Sequence, residues 1–135
     1  MTVRDDHGLQ EEVDYAAERL EDYAEGLVMI DCWGWPVDED DAEAMEDAGK
    51  CDMLDYLRVE AIEIETVHKL GNARDDAYDT YCGCRVMVTV GGPTIWVDTQ
   101  TRTVRGTWCP YAAEARISEE ACCELEEAVK TLKFC

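Results

Sequence analysis

The chain has 135 residues, of which 32 are Asp or Glu and only 12 are Lys or Arg, so its formal net charge is −20. Because phosphate contacts need cations, this balance excludes direct binding of DNA or RNA and of an anionic membrane. Hydrophobic residues make up 47% of the chain. That fraction distinguishes the chain from a disordered acidic tail and predicts a single domain, residues 1–135, with one modest core.

The acidic residues are unevenly placed. Residues 1–57 hold 19 Asp or Glu against 3 Lys or Arg, whereas residues 58–117 hold 8 against 7. We therefore predict an acidic helical part (1–57), a near-neutral sheet (58–108) and a C-terminal helix (118–133). No apolar run reaches the roughly 18–20 residues of a membrane helix, and the first residues contain no hydrophobic signal core. These features favour a cytoplasmic protein with reduced cysteines.

Residues Leu9–Leu27 are predicted to form an amphipathic helix. Its buried stripe follows the helical 3–4 spacing and consists of Leu9, Val13, Ala16, Ala17, Leu20, Ala24 and Leu27. Carboxylates occupy the other faces, among them Glu18, Glu21, Asp22 and Glu25. Arg19 is the only base in the segment, so few i,i+4 ion pairs relieve the repulsion. A surface helix that serves solubility alone usually mixes signs, and this one does not.

Two tryptophans flank a glycine in the sequence Asp-Cys-Trp-Gly-Trp-Pro, residues 31–36. The pattern predicts a loop in which Trp33 and Trp35 either pack on the sheet or form a contact patch for a partner. Tryptophan buries a large area wherever it can, which favours packing. It is also enriched in interface hot spots, which favours contact.

The most acidic stretch is residues 38–47. Its seven carboxylates are Asp38, Glu39, Asp40, Asp41, Glu43, Glu46 and Asp47. We predict a helix that is capped by Asp38 and ended by Gly49. Ten helical residues rise about 15 Å, a length over which B-DNA carries about nine phosphates. The similar charge density indicates nucleic-acid mimicry, with a merely solvated acidic helix as the alternative. A calcium loop is rejected, because Ala42 and the absence of a turn glycine break its pattern.

The sheet is predicted from runs with a period of two. Leu57–His68 is read as the first strand, with a pattern slip at Ala61–Ile62 that a β-bulge or a strand covered on both sides would explain. After a loop over Lys69–Tyr81, the strands Cys84–Val90, Thr94–Val97 and Thr103–Trp108 form an antiparallel meander. Residues 108–116 are expected to be irregular.

The last predicted element is a helix over residues 119–132. Ser118 is its expected N-cap, with Ile117 and Cys122 as a hydrophobic staple. Its buried residues are Ala121, Cys122, Leu125, Ala128, Val129 and Leu132. The predicted fold class is α+β: two acidic N-terminal helices, a small antiparallel sheet of three to four strands, and a C-terminal helix packed on the sheet.

Metal and catalytic chemistry find little support. Cys82 and Cys84 share a strand face and could meet Cys109, which leaves open a zinc-stabilised structural or regulatory module. However, the eight cysteines include no Cys-x-x-Cys pair, and no His-x-x-x-His is present. His7 and His68 belong to no recognisable nucleophile–base arrangement, and no phosphate-binding glycine motif occurs. We expect a protein that is not an enzyme and carries no cofactor.

Residues 91–108 read Gly-Gly-Pro-Thr-Ile-Trp-Val-Asp-Thr-Gln-Thr-Arg-Thr-Val-Arg-Gly-Thr-Trp. This pattern resembles small acidic proteins of gut-bacterial prophages and mobile elements, and the similarity covers about residues 52–132. Some small acidic proteins of this kind act as anti-CRISPR or anti-restriction proteins. The resemblance implies the meander fold and carries no catalytic residues. Trp108-Cys109-Pro110 departs from the family's usual Trp-Gly or Trp-Trp, so nothing is transferred to that loop.

Charge and resemblance together predict an inhibitor, an anti-CRISPR protein in the bacterial cytoplasm. Its carboxylate surface would occupy the basic channel in which a CRISPR effector takes up target DNA. The partner-binding residues are expected to be the seven carboxylates of residues 38–47, then Glu18, Glu21, Asp22 and Glu25, with Trp33 and Trp35. An acidic binder of another basic partner, such as a restriction enzyme or toxin, would show the same surface.

Overall fold

The computed structural model describes residues 8–69 and 81–134, so that His7 and most of the predicted Lys69–Tyr81 loop lie outside the described residues. The fold is α+β. Its helices are α1 (Leu9–Ala24), α2 (Ala42–Glu46), α3 (Met53–Glu60) and α4 (Glu119–Phe134). Among the described residues, no helix is long and apolar enough to cross a membrane.

Seven strands form two antiparallel sheets in the described ranges. The short strands β1 (Met29–Ile30) and β2 (Gly49–Lys50) pair with each other. The larger sheet has the order β3-β4-β5-β6-β7, with strands β3 (Glu63–His68), β4 (Tyr81–Thr89), β5 (Thr94–Asp98), β6 (Thr103–Trp108) and β7 (Tyr111–Arg116). The meander predicted from the period-two runs is confirmed. The sheet has five strands, one more than the predicted upper limit.

One face of the larger sheet carries the core. Val86, Val97 and Val104 lie side by side on neighbouring strands and are fully buried. Helix α1 packs across β6 and β7, while α4 packs on α3 and α1 and reaches the sheet at β4. The C-terminal helix is therefore present as predicted, but the main cover of the sheet is the acidic N-terminal helix.

The predicted first strand is wrong in its first half. Residues 57–60 belong to α3, which begins at Asp52 with a capping box in which Asp52 and Asp55 each accept a backbone N–H of the other. The slip at Ala61–Ile62 marks a change from helix to strand and not a β-bulge. The period of the apolar residues changes there from 3.6 to 2, because the chain leaves α3 and continues as β3, which pairs with β4.

The irregular segment predicted after Trp108 is a strand. Its sequence, Tyr-Ala-Ala-Glu-Ala-Arg, has little intrinsic preference for a strand. Pairing with β6 nevertheless extends over all of residues 111–116. The inward-facing Ala113 and Ala115 are small, and they pack against the core beneath α1. Tertiary pairing outweighs local propensity in this strand.

Several helix limits also differ from the prediction. Helix α1 ends at Ala24, and Gly26 follows with φ 72°, so that Leu27 is 56% exposed instead of buried. Leu132 of α4 is likewise exposed. At the start of α4, by contrast, the Ser118 hydroxyl accepts a hydrogen bond from the Ala121 N–H at 3.0 Å, which confirms the predicted cap.

Candidate functional site

A row of carboxylates follows the solvent side of α1. Its members are Glu11, Asp14, Glu18, Asp22 and Glu25, which recur at intervals of three or four residues and therefore share one helix face. Four are exposed and Asp22 is half-buried. Between the described residues we find no ion pair to any of them. The row spans about 21 Å, over which one strand of B-DNA carries about six phosphates.

The acidic segment, residues 38–47, is not the long helix that its composition predicts. Only residues 42–46 are helical, and Asp41 caps them by accepting the Ala44 N–H at 3.1 Å. Asp38, the predicted cap, instead accepts the Asp40 N–H within a turn. All seven carboxylates of the segment are exposed. A charge density calculated for ten helical residues therefore does not apply to this segment.

The carboxylate row and the acidic segment meet in a groove of about 650 Å³. Asp22 of α1 lines it from one side, and Asp38, Glu39 and Asp40 line it from the other. Residues from both sequence-predicted acidic segments therefore border a single cavity. We call the row and the segment, which meet at this groove, the acidic surface; Arg19, which pairs with Glu60, also lines the groove.

Glu21 makes a contact between two helices, and its predicted part in partner binding stays a prediction. Its two carboxylate oxygens accept hydrogen bonds from the N–H and the hydroxyl of Ser118, at 2.7 and 2.8 Å. Ser118 is the residue that begins α4, so Glu21 ties α1 to the N-terminus of that helix. A carboxylate at this end also interacts favourably with the helix dipole. Glu21 therefore connects α1 to α4, and this structural contact uses both of its carboxylate oxygens.

We expect Glu21→Gln to destabilise the fold by about 1–2 kcal/mol, because glutamine keeps a single acceptor oxygen: one charge-assisted hydrogen bond is lost and the other becomes a weaker neutral one. Glu18→Gln is the matched control, since Glu18 lies exposed on the same helix. The control should change the free energy of unfolding by less than about 0.5 kcal/mol. Urea denaturation of both variants measures the difference. Equal stabilities would show that the contact with Ser118 contributes nothing.

The two tryptophans do not pack on the sheet: Trp33 is 81% exposed and Trp35 is 56% exposed. Their loop is nevertheless well defined. The Asp31 carboxylate accepts both the Trp33 and the Trp35 N–H at 2.9 Å, and the Arg58 guanidinium donates to the Gly34 carbonyl. These bonds fix the backbone of a loop whose Trp33 indole lies in solvent, so binding there would order less backbone. Of the two interpretations, the exposure favours contact with a partner.

A half-buried ion pair lies beneath the acidic surface. Arg19 of α1 and Glu60 of α3 approach to 3.2 Å, and the guanidinium lies 5.2 Å from the centre of the Tyr23 ring. Burial and then the Glu60 charge raise the pKa of Tyr23 to about 12. The same two causes raise the pKa of Tyr56. Both phenols therefore stay neutral at physiological pH, and the negative charge resides on the carboxylates.

The three cysteines considered for zinc do not come together. Cys84 is fully buried at the end of the sheet where its N–H donates to the Thr99 hydroxyl. Cys109 follows the end of β6 that pairs with Thr94, the first residue of β5. Thr99 follows the other end of β5, so Cys109 lies about 17 Å from Cys84. Thiolates on one zinc ion all lie about 2.3 Å from it. The described ranges contain no group of three or more His, Cys, Asp or Glu that could hold a metal ion.

The thiols should separate into two classes by their rates of alkylation. Burial raises the pKa of Cys84, and it raises the pKa of Cys122 to about 11, whereas Cys32, Cys109 and Cys123 are exposed. We expect the exposed thiols to react with iodoacetamide at pH 8 roughly 100-fold faster than the buried pair, because the thiolate is the nucleophile. Peptide mass spectrometry over time measures this. Rapid labelling of Cys84 in the folded protein would contradict the packing of α4 and α1 on the sheet.

Arginines on the face of the sheet opposite to α1 are paired with carboxylates. Arg85 lies 4.3 Å from the centre of the Trp96 ring and 3.0 Å from Glu65, and Arg105 pairs with Glu114 at 2.9 Å. The strand register places Arg85, Trp96 and Arg105 on the outward face. Glu65, Asp98 and Glu114 lie on the same face, so this face is near neutral, whereas the carboxylate row has no described ion pair.

Sequence reasoning missed two members of the row, Glu11 and Asp14, as candidate site residues. Their signal is the 3–4 spacing to Glu18, which a helical projection of residues 9–24 shows directly. The groove has no such signal, because it depends on how the chain returns to α1 after Gly26. Comparison with protein-family models, with curated proteins and with solved structures found no match to this chain. The resemblance of residues 91–108 to phage and mobile-element proteins stays a prediction.

Proposed function

We propose that this protein is an inhibitor that occupies the basic nucleic-acid channel of a partner protein, and that this partner is a CRISPR effector. The observation that carries the proposal is the acidic surface, in which the carboxylate row of α1 and the acidic segment meet at one groove. Its carboxylates would replace DNA phosphates on lysine and arginine side chains of the channel. Target DNA would then be excluded by competition.

The arrangement of charge supports a binding role over solubility alone. Like charges at i,i+4 on a helix destabilise it by about 0.2–0.5 kcal/mol each. Helix α1 nevertheless keeps Asp14, Glu18 and Asp22 at that spacing, with no described cation paired to them. The described arginines on the outward face of the sheet are accompanied by carboxylates, so the unpaired carboxylates of α1 would dominate the field that attracts a basic partner.

A gel-shift competition tests the proposal. A guide-loaded CRISPR effector is mixed with labelled target DNA, with and without this protein, at about 50 and about 200 mM salt. We expect loss of the shifted band at low salt, relief at high salt, and protection when DNA is added first. Loss that is insensitive to both salt and order of addition would contradict competition by carboxylates. It would indicate an apolar interface around Trp33 and Trp35 instead.

A restriction enzyme or another basic nucleic-acid-binding protein would recognise the same acidic surface. The competition is therefore repeated with a restriction endonuclease and its DNA site in place of the effector. Inhibition of the endonuclease alone would retain mimicry and replace the partner. Inhibition of neither protein, at any salt concentration, would contradict the proposed function.

A further inference from the structure

A second cavity lies between α1, α3 and the sheet, on the N-terminal half of the carboxylate row. Its volume is about 450 Å³, within the roughly 300–1,000 Å³ of ligand pockets. Ala16, Tyr56, Val88 and Ile95 contribute to its mostly apolar lining. Tyr15, which is 64% exposed, forms part of its wall. The cavity can therefore hold an apolar side chain beside the acidic surface.

The charged groups around this cavity select a cation. Glu11, Glu12 and Glu60 line it together with a single base, Arg19. Arg19 is already paired with Glu60 at 3.2 Å. Glu11 and Glu12 are exposed, and no ion pair joins them to another described residue. An apolar group that enters here is therefore flanked by two carboxylates that pair with no described cation.

We infer that this cavity receives an aliphatic side chain, flanked by arginine or lysine, from the basic partner. The apolar wall would bury the aliphatic group, while Glu11 and Glu12 would bind the neighbouring cations. The inference rests on the proposed function for the identity of the partner. It adds a specific anchor to a surface whose carboxylates alone would attract any cationic protein. Such an anchor supplies selectivity that charge does not provide.

The test uses three blocked tripeptides as probes: Arg-Leu-Arg, Arg-Ser-Arg and Glu-Leu-Glu, each titrated into the full-length protein. Binding is followed through the methyl resonances of Val88 and Ile95. We expect Arg-Leu-Arg to shift both methyls saturably. Arg-Ser-Arg should bind roughly tenfold more weakly or worse, because it loses the buried leucine. Glu-Leu-Glu should not bind, because its charges are repelled.

Variants separate the two contributions. Tyr15→Ala removes an exposed part of the wall and should weaken Arg-Leu-Arg about fivefold, with little effect on Arg-Ser-Arg. The pair Glu11→Gln and Glu12→Gln should weaken both arginine peptides by about fivefold. The matched control is Glu120→Gln with Glu124→Gln, two exposed carboxylates of α4, which should leave binding unchanged.

Two results would overturn the inference. One is equal binding of Arg-Leu-Arg and Arg-Ser-Arg with no change at Val88 or Ile95, which would mean that cations only condense on the carboxylate row. The other is a methyl shift that depends on protein concentration without peptide, which would make a second copy of the chain the occupant. Failure of the proposed function would be distinguishable from these results. In that case the shifted DNA band would persist in the gel-shift competition, whichever peptides bind to the cavity.

Discussion

Changing Glu18 and Glu25 to lysine is expected to lower the affinity for the nucleic-acid-binding partner at least about 100-fold, or about 3 kcal/mol. Both carboxylates are exposed members of the row on α1. In the proposed complex each faces a cation of the partner, so reversal replaces attraction with repulsion at close range. The measurement is the concentration of variant that displaces half of the labelled DNA in the gel shift. This substitution tests the acidic surface directly.

The matched control reverses Glu63 and Glu124, two exposed carboxylates on β3 and α4. It raises the net charge by the same amount, from the −20 of the wild type. Because distant charges act only through a screened field, its effect should stay below about fivefold. An equal loss for both variants would show that net charge alone, and not this surface, determines binding.

The same reversal should stabilise the protein slightly. Glu18 is four residues from both Asp14 and Asp22, so lysine at this position converts two repulsive pairs into attractive ones. Lysine at residue 25 also interacts favourably with the C-terminal end of α1. We expect the free energy of unfolding to rise by about 0.5–1 kcal/mol. A variant that loses binding while gaining stability cannot owe the loss to unfolding.

Gly106→Ala is expected to destabilise the fold by about 2–3 kcal/mol, through overpacking under α1. A Cβ atom at residue 106 would lie 2.5 Å from Val13 Cγ2 and 3.0 Å from Leu9 Cδ1. Both side chains are fully buried, so they have no free space into which they can move. Helix α1 must therefore shift away from the sheet. The shift should lower the melting temperature by roughly 6–12 °C, as calorimetry can measure.

Gly49→Ala is the control for this substitution, because a Cβ atom at residue 49 would meet no heavy atom within 4 Å. Its free energy of unfolding should stay within about 0.5 kcal/mol of the wild type. Since α1 carries both the sheet cover and the carboxylate row, Gly106→Ala should also weaken partner binding. A Gly106→Ala variant as stable as the Gly49→Ala control would contradict the seating of Leu9 and Val13 on β6.

Local sequence signals were sufficient where one residue type has one dominant use. Ser118 before an amphipathic run predicts the start of α4, and the hydroxyl caps it. The period of two in residues 84–90 predicts one face for Cys84 and Val86, and both are fully buried; Val90, on the same predicted face, follows the end of β4 and is 59% exposed. These predictions succeed because capping and pleating depend on neighbours within a few residues.

Prediction of secondary structure failed where contacts outside the segment's own pattern determine its conformation. Residues 57–60 contain β-branched and aliphatic residues that suit a strand, yet the capping box at Asp52 and packing on α4 hold them in α3. Residues 111–116 have little strand preference, yet β6 offers a partner for each of them. The seven acids of residues 38–47 suggest one long helix, but Asp38 accepts the Asp40 N–H in a turn, and the helix that Asp41 caps contains only residues 42–46.

The sequence alone determined the acidity of this protein, the amphipathic character of α1 and the meander at its centre, because each depends on composition or on short-range periodicity. Only the tertiary structure decided which carboxylates form a surface. It joins Asp22 to Asp38–Asp40 across a groove, and it commits Glu21 to Ser118, 97 residues further along the chain. It also leaves an apolar cavity beside Glu11. Such proximity follows from how α1 packs on β6 and β7, which no local pattern records.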